Sequence, residues 1–98
     1  LTGDMIDAAK AVDLGLANEM VKPEELLERA LKVAGKIAKK APLAVKMALT
    51  AVKYGLETDL ETGLVLETAL ANLTVASEDK NEGISAFFEK RKPEYKGK

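Results

Sequence analysis

The chain of 98 residues carries 15 basic and 16 acidic side chains, a formal net charge of −1, and 47% apolar residues. That balance suits one small folded domain or a piece of a larger one, and argues against disorder. It has no cysteine and no histidine, which excludes disulfides and thiolate chemistry and argues against a zinc or serine-triad hydrolase held wholly within it.

No apolar run reaches the length of about eighteen residues that a membrane span needs, and the start does not read as a secretory signal. The chain opens at Leu1 rather than Met, as though cut from something longer. A cytoplasmic location is the simple expectation. With only two tyrosines, two phenylalanines and no tryptophan, the core must be built from Ala, Leu and Val, the composition of packed helices.

Asp7 caps a first short helix, Ala8 to Leu14, and Gly15 follows where a left-handed C-cap belongs. Leu16 to Val21 alternates weakly and reads as a short extended segment, which cannot make a sheet alone. Pro23 then fits a first helical position, with Glu24 and Glu25 facing the positive end of the dipole. Leu26, Leu27, Leu31 and Ile37 mark the apolar stripe of this amphipathic second helix, which Pro42 ends.

The third helix, Pro42 to Tyr54 with Gly55 as its stop, is apolar on most sides and so predicts burial against more than one neighbour. Asp59 caps a fourth, Leu60 to about Ala76, with one stripe of Gly63, Leu66, Leu70 and Leu73 and a second of Leu64, Ala71 and Val75. Ser77 caps a fifth, with Glu78 and Asp79 in its first turn. Pro93 is read as its end, and Glu94 to Lys98 as a polar tail. The expectation is an all-α chain of about five helices, with two of them asking for cover from outside it.

Five of the fifteen basic residues (Lys90, Arg91, Lys92, Lys96 and Lys98) fall in the last nine positions, directly after Phe87 and Phe88. Two readings stand. Basic residues complement a helix C-terminus and aid solubility. That structural reading is the stronger on composition; the functional alternative is a nucleotide site, the ring stacking on the base and the cation meeting phosphate.

General nucleic-acid binding fits poorly, because the sequence pI is about 5.5 and the other basic residues are dispersed. The acidic clusters Glu24/Glu25, Glu57/Asp59/Glu61 and Glu78/Asp79 all fall at helix starts and read as caps rather than catalytic pairs. Gly83, inside the fifth helix, marks either close packing by another backbone or a tolerated imperfection.

Taken in order, three stretches resemble the C-terminal part of the crotonase family, the enoyl-CoA hydratases and isomerases: LTGDMIDAAKAVDLGLANEMV, PEELLERALKVAGKIAKKAPLAVKMAL and SEDKNEGISAFFEKRKPEYKGK. The resemblance spans essentially the whole chain. It implies a ClpP/crotonase-like spiral enzyme in which 1–22 is a linker helix with an extended segment and 23–98 is a helical trimerisation region.

It further implies a larger N-terminal catalytic domain, outside this sequence, holding the oxyanion hole and the catalytic acids, so that these 98 residues alone are expected to be inactive. The partners it implies are that domain, two further copies in a trimer or a dimer of trimers, and a CoA thioester as substrate with no separate cofactor, no metal, no nucleic acid and no membrane. The implied reaction is hydration of 2-enoyl-CoA to 3-hydroxyacyl-CoA, in fatty-acid metabolism or a related pathway. An isomerase, dehydratase or thioester hydrolase of the same family is the alternative, and a non-enzymatic helical interaction domain is the rival from outside it.

Matching the closing motif residue by residue, the resemblance puts the adenine-stacking aromatic at Phe87 and the phosphate-contacting lysine at Lys90. Their spacing of three would set both on one helix face.

Overall fold

The computed structural model describes all 98 residues, Leu1–Lys98. They form α1 (Ala8–Asp13), a 3-10 turn (Pro23–Glu25), α2 (Leu26–Ala38), α3 (Pro42–Gly55), α4 (Leu60–Val75) and α5 (Glu78–Phe88). The chain is all-helical, and the stretch 16–21 joins no strand. It divides into two units, Leu1–Ala34 and Gly35–Lys98, the boundary falling inside α2.

In the first unit, Asp7 accepts a hydrogen bond from the Lys10 amide at 2.7 Å. At the other end of α1, Gly15 takes φ of +75°, and the Leu16 amide reaches back to the Ala11 carbonyl at 2.8 Å. This six-to-one closure needs a left-handed residue after the helix, and glycine supplies it without strain. Arg29, in α2, grips both carboxylate oxygens of Glu19 through Nε, at 2.7 and 2.8 Å. The α2 stripe stays open to solvent, with Leu27 71% exposed.

In the second unit, α3 packs chiefly on α4. Pro42 starts α3 with its fixed φ. Asp59 caps α4 by accepting from the amide and the hydroxyl of Thr62, at 3.0 and 2.7 Å. Where the two helices begin to separate, a Cβ on Gly63 would meet the Gly55 carbonyl oxygen at 3.2 Å. Glycine is what lets the backbones approach so closely. Gly63, Leu66, Leu70 and Thr74 are the half-buried positions of α4, whereas Leu64, Val65, Leu73 and Val75 are exposed. Thr74 replaces Leu73 in the inner stripe that the sequence suggested.

Only Ser77, Asp79 and Ala86 are buried, and no large side chain is fully enclosed. The accessible surface is 8477 Å² for 10.5 kDa. A compact monomer of that mass exposes about 5,400 Å², and two compact bodies divided as these units are would expose about 6,500 Å². The chain as a whole exposes about 2,000 Å² more than even the second count, and exposed apolar side chains lie on α3 and α4, Leu49, Val52, Leu64 and Val65 among them, as the apolar pattern of those helices predicts.

Candidate functional site

Ser77 caps α5, accepting from the Lys80 amide at 3.2 Å while its own hydroxyl donates to the Thr74 carbonyl at 2.7 Å. The helix stops at Phe88, well before Pro93, which the sequence suggested as its end. Glu89 closes it, and Lys90 turns left-handed at φ 53°, the one non-glycine residue of the chain with positive φ. The Arg91 amide then donates to the Ala86 carbonyl at 3.0 Å and the Lys90 amide to the Phe87 carbonyl at 3.3 Å. Lys90 therefore lies off the helix, in the turn beyond it. The expectation that Phe87 and Lys90 share a helix face is corrected: they adjoin through a backbone bond across the helix end.

Glu94 to Lys98, expected as a polar tail beyond the helix, fold back along α5, and the return begins at Arg91. The Arg91 guanidinium pairs with both oxygens of Glu82, through Nη1 and, at 2.9 Å, Nη2, and with Glu89 through Nε at 2.6 Å. Glu82 also accepts from the Glu94 amide at 2.7 Å. One turn earlier, Asp79 accepts from the amides of Lys96 and Gly97 at 2.6 and 2.9 Å. Between these anchors Tyr95 lies on Gly83, its hydroxyl 3.2 Å from where a Cβ would stand. Gly83 thus does mark close packing, by a tail side chain rather than by a second backbone.

The electrostatics follow from these bonds. The Arg91 hydrogen bonds, with the Glu94 amide next, hold the Glu82 carboxyl at about 2, far below its ordinary 4.5. Glu82 first, then Glu89, push the Arg91 guanidinium upward. The Thr62 amide, foremost, lowers Asp59. A carboxylate so firmly ionised makes a poor proton carrier near neutral pH, which agrees with reading these acids as structural. Asp79, read from the sequence as a helix cap, accepts from no amide of its own helix: it is 3% exposed and holds the tail.

Phe87 is 78% exposed and packs edge-on against Phe88, ring centres 5.8 Å apart at 76°. Both rings border a cleft of about 390 Å³, with Ile84, Tyr95 and Lys80 among its other walls. Lys90 makes no ion pair or side-chain hydrogen bond, whereas its neighbour Arg91 is bound by two carboxylates. The arrangement offers an open aromatic face, an apolar cleft and a free ammonium at one helix end. A ring, an apolar cleft and an ammonium so combined are chemically suited to a planar group carrying phosphate. No helix of the chain is long and apolar enough to cross a membrane.

The family model described as enoyl-CoA hydratase/isomerase matches residues 1–98. The chain belongs to the enoyl-CoA hydratase/isomerase family. It is 40% identical to a crotonyl-CoA hydratase of Syntrophomonas wolfei over 94 residues, 96% of this chain and 36% of that protein. It is 41% identical to a 2,3-dehydroadipyl-CoA hydratase of Escherichia coli over 98 residues, all of this chain and 38% of that one.

Among solved structures, an enoyl-CoA hydratase from Bacillus anthracis superposes with a TM-score of 0.90 at 40% identity, covering 93% of this chain and 35% of that one. An enoyl-CoA hydratase/isomerase from Mycobacterium paratuberculosis gives 0.92 at 34%, covering 99% and 38%. The chain thus spans little more than a third of the length of these relatives. The architecture that the resemblance implied is the one found in this family.

The roles of Glu82 and Asp79 as partners of the tail, and of Tyr95 as the tail residue on Gly83, escaped the sequence reading. The signal available was Gly83, a helix-interior glycine with Asp79 four positions and Glu82 one position before it and an aromatic residue twelve positions on.

Proposed function

We propose that these residues are the C-terminal oligomerising and CoA-covering region of an enzyme that adds water to 2-enoyl-CoA thioesters, giving 3-hydroxyacyl-CoA. The family match over the whole chain supports the class of enzyme, and the hydratase names of the relatives support the reaction. The observation that carries the assignment of this region is the α5 terminus, where an exposed Phe87 ring and an unpaired Lys90 adjoin across the end of one helix.

In this reading Phe87 stacks on the adenine and Lys90 meets the nucleotide phosphates. The groups that polarise the thioester carbonyl and move the proton lie in the catalytic domain upstream, so these 98 residues alone turn over no substrate. A pair of backbone amides aimed at the developing oxyanion is the kind of device that domain must supply.

Three copies, or two trimers, cover the exposed faces of α3 and α4. The apolar side chains that α3 and α4 leave exposed, Leu49, Val52, Leu64, Val65 and Leu73 among them, support this reading.

The test is substitution of Phe87 and Lys90 in the full-length protein. Phe87→Ala should weaken CoA-thioester binding by about 1–3 kcal/mol, the range for one lost base stack. An unchanged Michaelis constant for both Phe87→Ala and Lys90→Ala would overturn the assignment.

A further inference from the structure

We infer that Glu82 is a positioning residue for the nucleotide end of the CoA thioester, acting through Arg91 on the left-handed turn that carries Lys90. This rests on the reading of Phe87 and Lys90 given above. The starting point is the backbone of Lys90. A residue with a Cβ adopts φ of 53° only where the surroundings impose it, and such a residue is worth asking about. The same chain ends α1 with Gly15 at the equivalent turn. At the end of α5 the strained position is occupied by a long cation instead.

What imposes the turn is visible on both sides of it. The guanidinium of Arg91 reaches back across Lys90 to Glu89 at 2.6 Å, tying the residue before the turn to the residue after it. Through Nη1 and Nη2 it is also forked onto Glu82, two helical turns up α5. A carboxylate and a guanidinium match in this planar fashion, which fixes orientation as well as distance. Glu82 then takes the Glu94 amide at 2.7 Å, holding the chain as it leaves the turn.

Of the three residues Glu89, Lys90 and Arg91, only the middle one has a free side chain. Glu82 and Glu89 together more than offset the charge of Arg91, which leaves Lys90 as the unpaired cation at the turn itself. The Lys90 amide donates to the Phe87 carbonyl at 3.3 Å, which ties together the backbones that carry the ring and the ammonium.

Losing the bridge would let Lys90 relax from its turn. Apparent affinity falls in proportion to the competent fraction, so a drop of that fraction to about a tenth costs about tenfold. The experiment compares kcat/KM of the full-length protein on a 2-enoyl thioester of CoA and on the same thioester of pantetheine, which lacks the nucleotide. Glu82→Gln, which keeps shape and removes charge, should lower the CoA-to-pantetheine ratio about tenfold, through KM.

Arg91→Gln, breaking the same bridge from its other end, should do likewise. The double variant Glu82→Gln/Lys90→Ala should be no worse than Lys90→Ala alone, since Glu82 acts through Lys90. If Lys90→Ala lowers the ratio and Glu82→Gln does not, the inference is overturned while the nucleotide site stands. If Glu82→Gln lowers activity on both thioesters equally, Glu82 is a structural staple only and the inference is again overturned. If Lys90→Ala leaves the ratio unchanged, the nucleotide reading itself fails and takes this one with it.

Discussion

Asp79 is a side chain whose removal has a calculable consequence. It is 3% exposed and takes two backbone amides, Lys96 at 2.6 Å and Gly97 at 2.9 Å. Each hydrogen bond to an ionised group contributes about 1.5–3 kcal/mol net, so Asp79→Ala removes about 3–6 kcal/mol from the docking of the tail. A global melt would register only as much of this as the tail's own docking energy, because beyond that the tail simply lies open.

The sensitive assay is native-state proteolysis of the Lys96–Gly97 bond, flanked by the very amides that Asp79 holds. When opening is fast relative to cleavage, the rate tracks the open population. Even the lower figure corresponds to an increase of about a hundredfold, until the tail is open all the time. Glu78→Ala is the control, since Glu78 faces the same helix dipole but touches only Lys98, at 3.8 Å. A rate for Asp79→Ala within about twofold of the unsubstituted protein would refute the latch.

The depressed Glu82 carboxyl predicts a pH dependence with a definite sign. Its ionised form is favoured by folding, so its contribution is complete above 4.5 and fades as pH falls toward about 2. Hydrogen exchange of the 90–98 segment, corrected for intrinsic rates, should lose protection across that window, and Glu82→Gln should lack this component. At Gly63 an added methyl meets the Gly55 carbonyl oxygen at 3.2 Å. Gly63→Ala should therefore lower the melting temperature, despite a helix-propensity gain of up to about 1 kcal/mol; a rise would mean that α3 and α4 shift apart freely. Leu64, 53% exposed, and Leu66, half-buried, separate assembly from folding. Leu64→Asp should dissociate the oligomer in light scattering with helix content retained, whereas Leu66→Asp should lower the melting temperature, and the opposite pattern would place the stripes wrongly.

The helix starts were legible because their causes are local. Asp7, Asp59 and Ser77 each accept from the amide three residues on, and Pro42 presets the first turn of α3. The end of α5 was not legible in the same way. Pro93 looked like the stop, but the helix closes five residues earlier on a left-handed lysine, and no glycine advertises that turn. Its determinant is a guanidinium nine positions from its carboxylate, a pairing that periodicity cannot register.

Asp79 was misjudged for the same reason: in sequence it is one more acid in a first helical turn, and its burial depends on amides 17 and 18 residues ahead. The pair Phe87 and Phe88 is legible as aromatics beside basic residues, whereas the choice of Phe87 over Phe88 rests on the family resemblance. The idea that Lys90 shares its face was an extrapolation of helical geometry past the point where the helix ends.

The two ends of α5 and the faces of α3 and α4 meet opposite requirements, and this division bears on how the region works. Around Leu64, Val65 and Leu73 the chain leaves apolar surface open, and nothing within it serves as cover. Burial is worth about 25 cal/mol per Å², so in the proposed assembly such faces would favour association without fixing a unique local geometry. Along α5 and the tail the opposite holds: Asp79, Glu82, Arg91 and the amides of Glu94, Lys96 and Gly97 satisfy one another inside this chain. The turn that presents Lys90 beside Phe87 is therefore set by directional bonds that need no partner. The proposed assembly would gather apolar faces from several copies while each copy keeps the geometry of its own turn at Lys90, so substitutions on the α4 surface should change oligomeric state before they disturb that turn.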